Sequence, residues 1–216
     1  QPVRVVGLGF NAPAASIVTE AAPRSETEVL YAGRFDEAKG TADFLTAAAY
    51  VAEHHPEATF ALAGGIPGNP SAERRWKRRF EDKAPASLVA RVRFLGWLSP
   101  DALRDALAHA AVVVLPSWQE TFGLTALEAM GQAAPIVAAR GGAIVELLEH
   151  QESALLTGAR LPVALADAVL TLLRDPKHGA SLGAKACEIA LASWRWNTVI
   201  GDWVSAYGEP VAATDE

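Results

Sequence analysis

Glu120 and Glu128 bracket the segment Glu120-Thr121-Phe122-Gly123-Leu124-Thr125-Ala126-Leu127-Glu128. The apolar run Ala111–Leu115 before it reads as a strand, Pro116-Ser117-Trp118-Gln119 reads as the loop that leaves it, and the segment itself opens a helix. In a parallel α/β sheet, ligands bind beyond the carboxyl ends of the strands, where helix N-termini point free N–H groups outward. Such a terminus attracts anions, phosphate above all. Carboxylates beside a phosphate seat need a second ligand group that donates. A nucleotide sugar has both, because its diphosphate wants donors and its hydroxyls want acceptors. Gly123 would let a ligand approach the backbone closely. A second set of candidates follows another strand: Arg34 offers a planar fork for phosphate oxygens, and Lys39 a compact charge. With Asp36 and Glu37 between them, the two cations could equally form a surface salt-bridge cluster. Glu128 also has a local alternative, since Thr125-x-x-Glu128 is a capping box.

Strands are expected at Val3–Gly7, Val29–Gly33, Thr59–Ala63, Val92–Leu95, Ala111–Leu115 and Pro135–Ala139. Most are short continuous apolar runs, as strands buried on both faces should be. Helical patterns lie between them, at Thr41–Glu53 and from Ser99-Pro100-Asp101, with a Ser cap and Pro at the first helical position. Later ones are about Ala143–Glu149, Pro162–Arg174, Ala180–Ala192 and Trp196–Tyr207. This alternation predicts an α/β fold with a single Rossmann-like, doubly wound parallel sheet. Residues 1–208 are expected to form the domain and 209–216 a disordered tail. Arg24-Ser25-Glu26-Thr27-Glu28 reads as a linker.

Glu-x7-Glu after a Pro-Ser loop, with Phe122-Gly123-Leu124 inside it and Glu128-Ala129-Met130 at its end, resembles the signature of retaining glycosyltransferases with the GT-B fold, glycosyltransferase family 4 (group 1). The resemblance extends along nearly the whole chain, through Gly33-Arg34 with Lys39-Gly40, Leu62-Ala63-Gly64-Gly65, Phe94-Leu95-Gly96, Pro135-Ile136-Val137-Ala138, and Gly141-Gly142 with Glu146. It implies the C-terminal, donor-binding half of a hexosyltransferase, with the N-terminal acceptor-binding domain missing from this chain. It assigns Arg34 and Lys39 to the donor diphosphate, and Glu120 to the transferred sugar as the catalytic carboxylate. Phe122, Gly123 and Leu124 would offer backbone N–H groups, Glu128 would accept from the ribose hydroxyls, Leu95 would border the base, and Gly33 and Thr125 would also line the donor site. It implies no essential metal and no other cofactor; no Asp-x-Asp motif occurs. Gly65-Ile66, Ala134 and Ala154 depart from the family's usual turn residues and leave the subfamily open. Arg140-Gly141-Gly142 could line the rim or merely turn into the next helix. Two other readings remain: the second domain of a sugar-nucleotide epimerase, and a non-catalytic nucleotide-sugar-binding module.

The chain has 216 residues and a net charge of −6, which argues against nucleic acid as a partner. No apolar run approaches the roughly 20 residues of a membrane span. The lone cysteine, Cys187, excludes an internal disulfide framework and reads as a buried thiol. A cytoplasmic protein is expected, with membrane-peripheral attachment of the whole enzyme left open. Arg74–Phe80 is a basic run in which Trp76 and Phe80 stand four apart, so a core stripe with a solvated basic face is preferred over a nucleic-acid patch. The five histidines have no metal-ligand spacing. Gly7-Leu8-Gly9 lacks the third glycine of a dinucleotide loop. Trp118 is kept as a possible aromatic at the rim of the site.

Overall fold

The computed structural model describes residues 8–11 and 23–208. The strand expected at Val3–Gly7 and the tail 209–216 lie outside the described residues. In chain order the elements are β1 (Glu28–Ala32), α1 (Thr41–His54), β2 (Thr59–Ala63), α2 (Ser71–Glu81), α3 (Ala86–Val89), β3 (Val92–Gly96), α4 (Pro100–His109), β4 (Val112–Leu115), α5 (Leu124–Gly131), β5 (Ile136–Ala139), α6 (Ile144–Leu147), β6 (Leu155–Thr157), α7 (Pro162–Arg174), α8 (Pro176–Ser193) and α9 (Trp196–Gly208).

The six strands form one sheet in the order β3-β2-β1-β4-β5-β6, and every pairing is parallel. This is the doubly wound order expected from the alternation. Consecutive side chains on each strand go to opposite faces. Val29, Tyr31, Val112 and Val114 thus join α1 and α7 on one side. Leu30, Ala32, Val113 and Leu115 join α5 and α8 on the other. Burial on both faces explains the unbroken apolar runs.

Where elements depart from expectation, a local cause is visible. α8 begins four residues before Ala180, because Asp175 accepts from the His178 amide at 3.0 Å and Pro176 takes the first turn. β6 was not foreseen: it is three residues long, too short for a periodic signal, and exists through its pairing with β5. On α2, Trp76 and Phe80 are buried and the Arg and Lys side chains face solvent, as the core-stripe reading required. The Trp76 indole donates to the Phe35 carbonyl at 3.0 Å.

The stretch read as a linker has a structural task. Arg24 is largely buried and donates to the carbonyls of Leu107, Ala108, Ala110 and Gln132. It thereby ties together the carboxyl ends of α4 and α5, where helix dipoles favour a cation. Burial lowers its pKa from the ordinary arginine value. Cys187 is buried 3.8 Å from the Gly131 carbonyl, and burial raises its thiol pKa. Among the described residues, no helix is long and apolar enough to cross a membrane.

Candidate functional site

The sheet order reverses direction between β1 and β4, and a crevice opens beyond their carboxyl ends at such a switch point. There the chain leaving β1 carries Gly33, Arg34 and Lys39, and the chain leaving β4 carries Glu120 through Thr125. All of these residues line one hollow of about 360 Å³, together with Leu115, Pro116 and Ile144. Seven of the expected donor residues and the expected catalytic carboxylate therefore meet, although they come from loops far apart in sequence.

α5 brings its N-terminus to the hollow. Its N-cap is Gly123, at φ 73°, and the helix starts at Leu124. The first amides of a helix have no partner within it, and here they border the hollow. The backbone angle at Gly123 favours glycine, and a Cβ there would lie 2.5 Å from Leu147 Cδ1, which would have to shift. Because the helix begins at Leu124, Thr125 is already inside it and no side chain caps it. The capping box between Thr125 and Glu128 does not form, which removes the local explanation for Glu128.

The cations are held differently. Lys39 Nζ lies 2.6 Å from Glu120 Oε2, and both side chains are 21% exposed. Arg34 is 66% exposed, with Asp36 at 3.3 Å as its partner. Behind them, Tyr31 is buried and donates from its hydroxyl to the Arg34 carbonyl at 2.6 Å. Tyr31 Oη and Thr41 Oγ1 are 3.1 Å apart, and Thr41 donates to the Asp36 carbonyl at 3.0 Å. This network clamps the loop that bears Arg34 and Lys39. Burial raises the Tyr31 pKa well beyond the usual phenol value, so the hydroxyl stays protonated as a donor.

Glu128 faces an adjoining hollow of about 390 Å³, which shares Leu124 with the first. Pro100, Leu103, Arg104 and Leu107 of α4 form its other wall, and the segment 8–11, Gln132 and Trp196 complete it. Burial raises the Glu128 pKa, and the Arg104 charge offsets part of the rise. Arg104 bonds Asp101 at 2.9 Å. The α4 wall was missed from sequence, where Ser99-Pro100 signalled only a helix start. Leu95 stands apart: it lines a separate hollow of about 280 Å³ with Gly64, Glu73, Gly96 and Trp97.

Two rim candidates take structural roles. The Trp118 indole donates to Asp43 Oδ2 at 2.6 Å, the Arg160 guanidinium lies 3.9 Å from its ring centroid, and its amide donates to the Ala38 carbonyl at 2.9 Å. It staples the Glu120 loop to the Lys39 loop from behind. Gly141 and Gly142 pack against the backbone of Trp118 and Glu120 and turn the chain into α6.

A carboxylate whose folded pKa is raised favours folding below its unfolded pKa and loses that contribution as pH rises through the folded value. Ionised Glu128 thus costs the unliganded domain stability at neutral pH. Glu128→Gln is expected to leave the melting temperature equal or higher at about pH 7, with the difference vanishing near pH 4. The same change is expected to weaken nucleoside-diphosphate binding by about tenfold. Thermal melts at both pH values and calorimetry check the pair of outcomes; a lower melting temperature at neutral pH would refute this account of Glu128.

The fold is a Rossmann-like α/β domain that matches GT-B glycosyltransferase structures. The structure is similar to sucrose-phosphate synthase from Thermosynechococcus elongatus, with a TM-score of 0.80 and 30% identity over 95% of this chain and 52% of that one. It shares its fold with Anabaena HepE solved in complex with UDP-glucose, at a TM-score of 0.79 and 22% identity over 95% of this chain and 57% of that one. The chain belongs to the family described as glycosyl transferases group 1, whose model matches residues 26–175. It is 30% identical to the D-inositol 3-phosphate glycosyltransferase of Corynebacterium glutamicum (strain R) over 85% of this chain and 44% of the relative. It is 29% identical to the glycogen synthase of Mycobacterium tuberculosis (strain CDC 1551 / Oshkosh) over 91% of this chain and 46% of the relative. The chain thus spans less than half the length of the curated relatives it matches.

Proposed function

We propose that this chain is the donor-binding domain of a retaining, family 4 glycosyltransferase that moves a hexose from a nucleoside-diphosphate sugar to an acceptor. One observation carries the reading: Arg34, Lys39, the N-terminus of α5 and Glu120 converge on a single hollow at the switch point, with Glu128 in the next. Lys39, Arg34 and the α5 amides take the diphosphate and offset the charge that develops on it as the sugar leaves. Glu120 accepts from the sugar hydroxyls and Glu128 from the ribose. The base lies towards the α4 wall, against Pro100 and Leu103. No protein nucleophile is needed: the leaving phosphate helps deprotonate the acceptor on the same face of the sugar, which retains the anomeric configuration. The positive charge at the seat comes from the protein itself, so we propose binding without a resident metal. The acceptor belongs to the part of the enzyme that this chain does not cover. Cys187, a buried lone thiol, fits a reducing, cytoplasmic compartment.

Calorimetry of this chain with UDP, GDP and ADP in the presence of a chelator is expected to show binding by at least one of them, on the order of 10⁻⁵ to 10⁻³ M, because half of the cleft is missing. No heat with any of the three would sink the proposal.

Transfer needs an acceptor held about 3–3.5 Å from the anomeric carbon. Phe122 and Leu124, exposed at the hollow by 56% and 46%, present an open wall that closure would dry. This chain is therefore expected to give slow donor hydrolysis at most, and no acceptor-dependent transfer. An assay with labelled nucleotide sugars checks this, and robust turnover would contradict the proposed division of labour.

A further inference from the structure

The structure holds Lys39, assigned above to the diphosphate, against Glu120, assigned above to the sugar. We propose that the Lys39–Glu120 ion pair makes the site discriminate an intact nucleotide sugar from the bare nucleoside diphosphate. The inference rests on the donor-site reading above.

The pair is built into the fold. Its 2.6 Å contact joins loops 81 residues apart. The Trp118 amide bonded to the Ala38 carbonyl fixes one loop to the other beside it. Both oxygens of Glu120 are engaged, Oε2 by Lys39 and Oε1 by the Thr121 amide at 3.2 Å. With both side chains mostly shielded from water, losing the partner costs more than at an open surface.

A diphosphate entering this hollow draws the Lys39 ammonium away from Glu120. When the ligand ends at the diphosphate, Glu120 is left with one amide donor and faces an anion. When the ligand carries a sugar, its hydroxyls donate to Glu120 and replace the ammonium. Breaking the pair thus opposes the bare nucleotide and is compensated for the sugar nucleotide. Arg34 cannot set this difference, because its ion-pair partner is Asp36 on its own loop and it reaches a phosphate without disturbing Glu120. The spent nucleotide is weakened relative to the donor, which favours its release after transfer.

The test is calorimetry of the wild-type chain, Glu120→Gln, Lys39→Ala and the double variant. The ligands are UDP and UDP-glucose, GDP and GDP-mannose, and ADP and ADP-glucose. Glu120→Gln is expected to tighten the bare nucleotide about three- to fivefold and to weaken the sugar nucleotide that wild type binds by about tenfold. In the Lys39→Ala background, the same substitution is expected to change the bare nucleotide by less than about twofold, since no pair remains to break. Equal tightening in both backgrounds would show mere charge repulsion and overturn the proposal. Unchanged or weaker binding of the bare nucleotide by Glu120→Gln would overturn it too. If wild type binds none of the six ligands, the donor-site reading itself fails, and this inference falls with it.

Discussion

Lys39→Ala is expected to weaken nucleoside-diphosphate binding by about a hundredfold. A charge-assisted contact to phosphate is worth about 1.5–3 kcal/mol, or roughly ten- to 150-fold. Arg34→Ala should cost less, about tenfold, because that side chain is two-thirds exposed and a solvated contact is screened. The fold should tolerate Arg34→Ala, whose exposed ion pair contributes about 0–1 kcal/mol, and Lys39→Ala should destabilise it somewhat more, because its pair is mostly shielded from water. Calorimetry with the nucleotide that wild type binds, alongside thermal melts, separates the two effects. A Lys39→Ala variant that binds as wild type does would remove lysine from the anion seat; one that fails to fold would move its role from binding to structure.

Gly142→Ala is expected to damage both the fold and the site. Gly142 has φ 55°, a region that costs a residue with a side chain about 1–3 kcal/mol. The new Cβ would also sit 1.9 Å from the Glu120 carbonyl oxygen and 2.9 Å from its carbon. That same oxygen accepts from the Ala143 amide at 2.9 Å. Making room must move the Glu120 backbone and break this bond, which adds about 1 kcal/mol. The total of about 2–4 kcal/mol corresponds to a fall in melting temperature of roughly 5–10 °C for a domain of this size. Because the displaced residue is Glu120, sugar-nucleotide affinity should fall further than bare-nucleotide affinity. A melting temperature within about 2 °C of wild type would show that the turn relaxes easily and does not fix the carboxylate.

These expectations draw on sequence and structure in different proportions. β2 and α7 were readable to the residue, β3, β4 and β5 to within one position at one end, and β1 to within one position at both. Buried parallel strands are continuous apolar runs, and Pro, Ser and Asp mark helix starts through local hydrogen bonds and fixed backbone angles. Those signals lie within a few residues of what they specify. β6 carried no such signal, because three residues span no period. The capping box at Thr125 was a sound local pattern that lost to tertiary context: Gly123 packs against Leu147 and starts the helix two residues earlier.

By itself, the sequence determined the fold class, the family and the chemical types present at the site: two cations after β1 and two carboxylates around the start of α5. Only the tertiary structure decided which of them touch. Lys39 meets Glu120 because the strand order places β1 beside β4, although two strands intervene in the chain. Glu128 meets the α4 wall, and Arg24 ties α4 to α5, because packing on one face of the sheet brings those helices together. The physical reason is one of range. Periodicity, caps and turns are short-range preferences written in neighbouring residues, whereas the pairing of distant loops follows from burying both faces of a single sheet at once. No local stretch of the chain records that condition.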